Sequence, residues 1–401
     1  MRARTNIFRG AATFITLLIL LVFAPVSSAQ ETEAQAPPGA PKLDAESWTL
    51  IDADTGLYLA GRDPDKRLAI ASTTKVMTAL VAFDEGVNLD EEVTVSESAA
   101  KYAGSVYSNV GLYPYDRVSM GDLLTAALVP SGTDADYALA EYLGDGSVDG
   151  FVSKMNDKAE ELGLKNTHFE NPAGIDAKGN YSSANDLAKI TREVMKYPEF
   201  REIVAKPEAT ISTQDREIDV VNTNLLVVPN SGYEYGPATG VKTGTSPQAG
   251  ACLIASAQSD DESYIAVVLD AGGDVQRFQA ARGALEYGFG EYEHEPLVES
   301  GDAYAKLDLP YRRDESVKLV AEENVTALAG PGLNVERRPT HEKEVPPSAK
   351  KGAKLGTVAV SVEGRKVGSS PLVAQKGYEA ASLWQKVTYW AGGLKRWVLS
   401  R

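Results

Sequence analysis

Ile70-Ala71-Ser72-Thr73-Thr74-Lys75-Val76-Met77-Thr78 sets a hydroxyl and an amine three residues apart at the start of an apolar run. Val76, Leu80 and Phe83 recur at helical spacing, so the pattern predicts a helix over 73–83. Ser72 and Lys75 then share one helical face. A serine hydroxyl attacks poorly until a base removes its proton, and a close neutral amine is such a base. A free lysine has a pKa of ~10.4, so burial and a second cation must bring it toward neutrality. The backbone amide of Ser72 lies at a helix N-terminus, where a developing oxyanion is favoured.

Ser-x-x-Lys alone is a weak signal, because Ser98-Ala99-Ala100-Lys101 and Ser348-Ala349-Lys350-Lys351 repeat it. The first is followed by no clear apolar helix and the second sits in a Pro/Lys-rich loop, so both read as solvated surface. Two further elements stand out. Lys242-Thr243-Gly244 occurs once, just before a predicted strand, within Thr239-Gly240-Val241-Lys242-Thr243-Gly244-Thr245. There a lysine can hold a carboxylate or a second serine, and glycine permits close backbone approach. Ser131-Gly132-Thr133 follows the apolar run 123–129, where a hydroxyl can relay a proton or merely make a turn.

The rest of the chain frames these elements. With 401 residues there is room for two or three domains. The net charge of −16 excludes a general nucleic-acid binder. One cysteine, Cys252, and three histidines leave no disulfide and no Cys/His metal cage, so neither a cofactor nor a metal is expected. Arg2, Arg4 and Arg9 precede the apolar run 14–24, and Ser27-Ser28-Ala29 offers a cleavage site. Residues 1–29 thus read as a secretory signal, too short in its apolar part for the ~20 residues of a membrane span. The expectation is an exported protein at the outer face of the cytoplasmic membrane.

Residues 30–42 read as a Pro/Ala-rich linker. Next come a β-hairpin across Asp54-Thr55-Gly56, a helical middle, and apolar β-runs at 249–257 and 263–270. Together they predict a mixed α/β catalytic domain over 43–290. Residues 291–375 read as a small all-β domain. Over 376–401, Leu383, Trp384, Val387, Trp390, Leu394, Trp397 and Val398 follow helical spacing, with Lys386, Lys395 and Arg396 elsewhere. That pattern fits an amphipathic helix lying in a membrane interface, although the same pattern suits a helix docked on the β domain.

In order, Ser72, Ser131 and Lys242 head Ser-x-x-Lys, Ser-x-Asn-like and Lys-Thr-Gly motifs, a set that resembles the penicillin-recognising serine enzymes. With Leu164-Lys165-Asn166-Thr167-His168-Phe169-Glu170-Asn171-Pro172-Ala173-Gly174, the chain resembles serine-type D-alanyl-D-alanine carboxypeptidases, the low-molecular-mass penicillin-binding proteins. The resemblance implies an α+β transpeptidase/β-lactamase-like fold: an antiparallel sheet flanked by helices, plus a helical subdomain. It implies removal of the terminal D-Ala from the peptidoglycan pentapeptide through an acyl-enzyme on Ser72, and acylation by β-lactam antibiotics. By similarity Lys75 is the base, and Ser131 and Lys242 relay protons. Thr243 meets the substrate carboxylate, and the amides of Ser72 and Thr245 form the oxyanion hole. Gly244 completes the strand, and Arg277 resembles an arginine near the carboxylate end. Thr133 stands where the family usually has asparagine, which exchanges an amide for one shorter hydroxyl. Two other readings stay open: a class A β-lactamase, for which Glu170 would have to position water, and a silent wall-binding scaffold.

Overall fold

The computed structural model describes residues 37–341, Pro38 apart, and 345–399, with side chains of the last helix as far as Ala391. The expected signal peptide and the first part of the linker lie outside the described residues, as do the side chains of Leu394, Lys395, Arg396, Trp397 and Val398.

β1 (Ala45–Asp52) and β2 (Tyr58–Arg62) form the expected hairpin. α1 (Lys75–Asp84) follows a 3₁₀ turn over Ala71–Thr74. Next come β3 (Glu92–Thr94), α2 (Glu97–Ala100), β4 (Arg117–Ser119), α3 (Met120–Leu128), α4 (Thr133–Leu143) and α5 (Val148–Glu161). α6 (Ala184–Val194), α7 (Pro198–Val204), β5 (Glu208–Ser212) and β6 (Glu217–Val221) complete the helical part. β7 (Ala238–Ser246), β8 (Gly250–Ser259) and β9 (Glu262–Ala271) then return to the first hairpin, in an antiparallel sheet of order β2-β1-β9-β8-β7. α8 (Asp274–Glu291) closes this part.

The sheet is covered on both sides, which explains why its strands read as continuous apolar runs rather than alternations. Ile254, Ile265, Val267 and Leu269 face a core shared with α1, α3, α4 and α6. Leu253, Ala255, Ala266 and Val268 face a second core with α8. The sequence pattern missed α8, because its buried stripe is largely Ala280, Ala281, Ala284 and Gly288 and contrasts little with its exposed face. Lys242-Thr243-Gly244 lies inside β7, the sheet's edge strand, and not just ahead of a strand.

Beyond α8, β10 (Glu293–Val298) pairs with β13 (Val325–Ala329). A second antiparallel sheet has the order β11-β12-β16-β15-β14, from β11 (Ala303–Asp308), β12 (Ser316–Ala321), β14 (Val335–His341), β15 (Lys354–Val362) and β16 (Arg365–Ala374). Glu363 and Gly364, with φ of 49° and 72°, make the tight β15–β16 turn with the handedness that matches strand twist. Tyr292 joins the two parts: it is buried, and its hydroxyl donates to Leu59 O at 2.8 Å and Pro331 O at 3.1 Å. The last helix, α9 (Leu383–Leu399), begins seven residues after the expected start at 376.

Candidate active site

Ser72 lies in the 3₁₀ turn that leads into α1, and Lys75 is the first residue of that helix. Ala71 before it has φ of 46°, a left-handed conformation that side chains adopt at a cost. Two glycines hold this turn. A Cβ at Gly244 of β7 would stand 2.8 Å from Ile70 O and 3.1 Å from Ser72 N. One at Gly174 would stand 1.8 Å from Ala71 O. The edge strand and the 171–175 loop thus press directly on the backbone at Ser72, which only residues without side chains allow.

Lys75 is 1% exposed. Its Nζ donates to Ala173 O at 3.1 Å and stands 2.5 Å from Asp136 Oδ2 on the first turns of α4. Ala173 O is aimed by Asn171, whose Oδ1 accepts from the amides of Ala173, Gly174 and Ile175, while Thr78 Oγ1 donates to Pro172 O. Apart from this short contact with Lys75, neither Asp136 oxygen accepts a hydrogen bond among the described residues. Burial pushes the Asp136 carboxyl up to about 7, against the pull of Lys75 and, less strongly, Lys242. Lys242 Nζ donates to Thr243 O at 3.0 Å. Burial, then the charge on Lys75, hold the Lys242 amine well below the usual lysine range; Asp136 opposes this and Arg277 adds to it. The second lysine expected beside Lys75 is present, with its charge disfavoured by burial, and a carboxylate that the motif reading missed lies 2.5 Å from Lys75.

Ser131 turns the chain between α3 and α4 with φ of 70° and is buried. The turn is fixed by Gly132 N–H to Ala126 O and Thr133 N–H to Ser108 O, each 2.8 Å. Thr133 is the buried first residue of α4. Next to it, Asp134 accepts from the amides of Val110, Gly111 and Leu112, with the shortest contacts at 2.9 Å, and so pins the 108–112 loop beside Ser131. Thr243 Oγ1 donates to Thr223 Oγ1 at 2.7 Å, and Thr223 N–H donates to Val129 O at 3.1 Å, which ties β7 to the end of α3. Arg277 on α8 donates to Thr245 Oγ1 at 2.7 Å and Gly244 O at 3.3 Å, and pairs with Asp274.

Ser72, Lys75, Lys242, Thr243 and Gly244 therefore meet at the junction of the sheet edge with α1, with Ser131 and Thr133 on the adjoining turn and Arg277 behind Thr245. Asp136, Asp134, Asn171 and Thr223 join them unforeseen; for Asp136 the signal was an acid inside the otherwise apolar run Ala135 to Ala140. The two repeats of Ser-x-x-Lys are elsewhere: Ser98 Oγ donates to the surface Glu141, and Ser348 and Lys351 are exposed. Glu170 pairs with His168 at the surface, its side chain 43% exposed. Among the described residues no group of three His, Cys, Asp or Glu is gathered as a metal would need.

Residues 30–273 match the family described as D-alanyl-D-alanine carboxypeptidase, more than half of the chain. The chain belongs to that carboxypeptidase family. Residues 292–380 match the penicillin-binding protein 5 C-terminal domain. The carboxypeptidase is 33% identical to the D-alanyl-D-alanine carboxypeptidase DacF of Bacillus subtilis, over 93% of this chain and 95% of that one. It is 32% identical to DacC of Escherichia coli over 96% of each. Its fold matches penicillin binding protein 5 of Haemophilus influenzae with a TM-score of 0.63 and 31% identity, covering 84% of this chain and 98% of that one. The Streptomyces K15 DD-transpeptidase matches with a TM-score of 0.58 and 36% identity, covering 62% and 98%. The family assignment makes the carboxypeptidase a hydrolase of penicillin-binding-protein fold, with a small all-β C-terminal domain.

Proposed function

We propose that this carboxypeptidase removes the terminal D-Ala of peptidoglycan stem peptides by acyl transfer through Ser72. The single observation that carries the reading is the pressing of β7 and the 171–175 loop onto the Ser72 turn, with Lys75 buried one helical turn on. Ser72 Oγ gives its proton to Lys75 Nζ and attacks the penultimate D-Ala carbonyl. The amides of Ser72 and Thr245 receive the oxyanion. Ser131 and Lys242 pass a proton to the departing D-Ala nitrogen. Thr243 and Thr245 meet the substrate carboxylate, with Arg277 polarising the Thr245 hydroxyl. Thr133 contributes its hydroxyl to the peptide where an asparagine would contribute an amide. Water then releases the acyl group. β-Lactams enter by the same attack and stay attached, since Glu170 is a surface residue in this fold.

The test is mass spectrometry of a digest after penicillin treatment. The adduct is expected on the peptide that carries Ser72 and is absent from Ser72→Ala. An adduct elsewhere removes Ser72 from its role, and fast complete penicillin hydrolysis favours a β-lactamase.

A second reading concerns place. On α9, Leu383 is 83%, Trp384 75% and Trp390 68% exposed, which supports the interfacial reading. Arg313 donates to Tyr389 O and holds the helix from one side. No helix among the described residues is long and apolar enough to cross a membrane. With the signal expected over 1–29, we infer an exported enzyme whose α9 lies in the interface of the cytoplasmic membrane. Co-sedimentation with anionic vesicles, weakening as salt rises, is the expected outcome.

A further inference from the structure

Asp134 and Asp136 sit two residues apart on α4, both fully buried, and their surroundings differ. Asp134 spends its oxygens on the amides of Val110, Gly111, Leu112 and Ala135. Asp136 has Lys75 Nζ 2.5 Å from Oδ2 and, among the described residues, no other donor at either oxygen. Both side chains of that pair have no exposure at all. A carboxylate stripped of water, with one ammonium as its only polar neighbour, is held poorly as an anion. A proton taken from that neighbour relieves it.

We propose that Asp136 takes a proton from Lys75 and so leaves that lysine free to act as the base for Ser72. The inference rests on the reading of Lys75 as that base. The step is Lys75-NH3⁺ plus Asp136-COO⁻ giving Lys75-NH2 plus Asp136-COOH. Rotation about the Cε–Nζ bond then turns the lone pair from Asp136 toward Ser72, with one N–H retained by Ala173 O. As Oγ bonds to the substrate carbonyl carbon, the serine proton moves to Nζ and the carbonyl electron pair moves to oxygen. Asp136 is a positioning residue in this scheme, because it acts through Lys75 and not on substrate.

The charged and titratable groups facing Asp136 are Lys75 from α1, Lys242 from β7, and Asp134 and Tyr137 from its own helix. The upward push that burial gives the carboxyl accords with the transfer. Above the range near 7 where Asp136 takes up a second proton, both forms of the pair hold the same single proton, so there the reactive form does not titrate with pH. Below it the pair gains a proton and acylation falls. A lysine without this partner would lose its base form about tenfold per pH unit below its own pKa.

The experiment follows acylation of Ser72 by a chromogenic β-lactam against pH, in the full chain and in Asp136→Asn, with melting curves as a folding control. Wild type is expected to fall as pH drops below about 7 and to vary less than about threefold between about pH 8 and pH 9.5. Asp136→Asn is expected to climb about tenfold per pH unit over that range and to approach wild type in alkali. A folded Asp136→Asn with the wild-type profile overturns the proposal. So does a variant faster than wild type at neutral pH, which would mean that Asp136 keeps Lys75 protonated. Should the variant not fold, the wild-type profile decides: a tenfold climb per unit over that range overturns the proposal, and a plateau upholds it. Absence of any adduct on Ser72 in wild type at every pH defeats the reading of the site instead, and so is told apart from a failure of Asp136.

Discussion

A methyl group added at Gly244 meets Ile70 O at 2.8 Å and Ser72 N at 3.1 Å, atoms that are backbone and cannot swing aside. Gly244→Ala must therefore lift β7 from the Ser72 turn, and misplacement by about 1 Å lowers rates about 10²-fold. Stopped-flow acylation by penicillin is expected to show that loss. Lys242 gives a prediction about pH. Its amine is held well below the usual range by burial, so it contributes stability that is present above the unfolded pKa of ~10.4 and lost as pH falls toward the folded one. Lys242→Met deletes this penalty, and urea unfolding should show a larger gain at about pH 7 than at about pH 9. Equal gains would mean that Lys242 keeps its proton in the folded chain. Ser72, Lys75 and Lys242 could be read in the sequence because their chemistry is tied to short fixed spacings. Asp136 could not, since an acid on a helix gains its meaning from burial against Lys75, and burial depends on how α1 and α4 cross.

At the scale of elements, the site depends on segments that present backbone rather than side chains. The 108–112 loop has no regular structure and is held by the Asp134 carboxylate, which gathers three of its amides. Hydrogen bonds to a charged group contribute about 1.5–3 kcal/mol each, so Asp134→Ala is expected to destabilise the chain by several kcal/mol. The loop also supplies Ser108 O to the head of α4, so acylation should slow along with the fall in melting temperature. A variant that melts earlier but acylates at the wild-type rate would separate the loop from the site. Strands β8 and β9 were legible because a sheet covered on both faces writes long apolar runs. α8 was not, because its packing against the sheet relies on alanine and glycine. β7 was recognised by its motif and misplaced relative to its strand, since Gly240 and Gly244 lower its apparent β character.

At the scale of the molecule, the part with the site and the part with the second sheet share a core around Tyr292, yet the Streptomyces K15 relative is spanned at 98% by only 62% of this chain. A chain ended after Tyr292 keeps the hydrogen bond to Leu59 O and is expected to acylate at a rate within a few-fold of the full chain, while losing vesicle binding. Loss of acylation would show that the second sheet props the site. The alternation of short strands made an all-β region legible, but its division between a two-stranded pair and a five-stranded sheet was not, because register is decided by partners distant in sequence. The exposed face of α9 has an optical consequence. Three of the four tryptophans, Trp384, Trp390 and Trp397, belong to that helix, and the fourth, Trp48, is sealed in the core. Intrinsic fluorescence therefore reports mainly on the tail. Trp384 and Trp390, standing in water, would shift to the blue on meeting lipid without any label, whereas thermal unfolding followed by the same emission would largely miss the site.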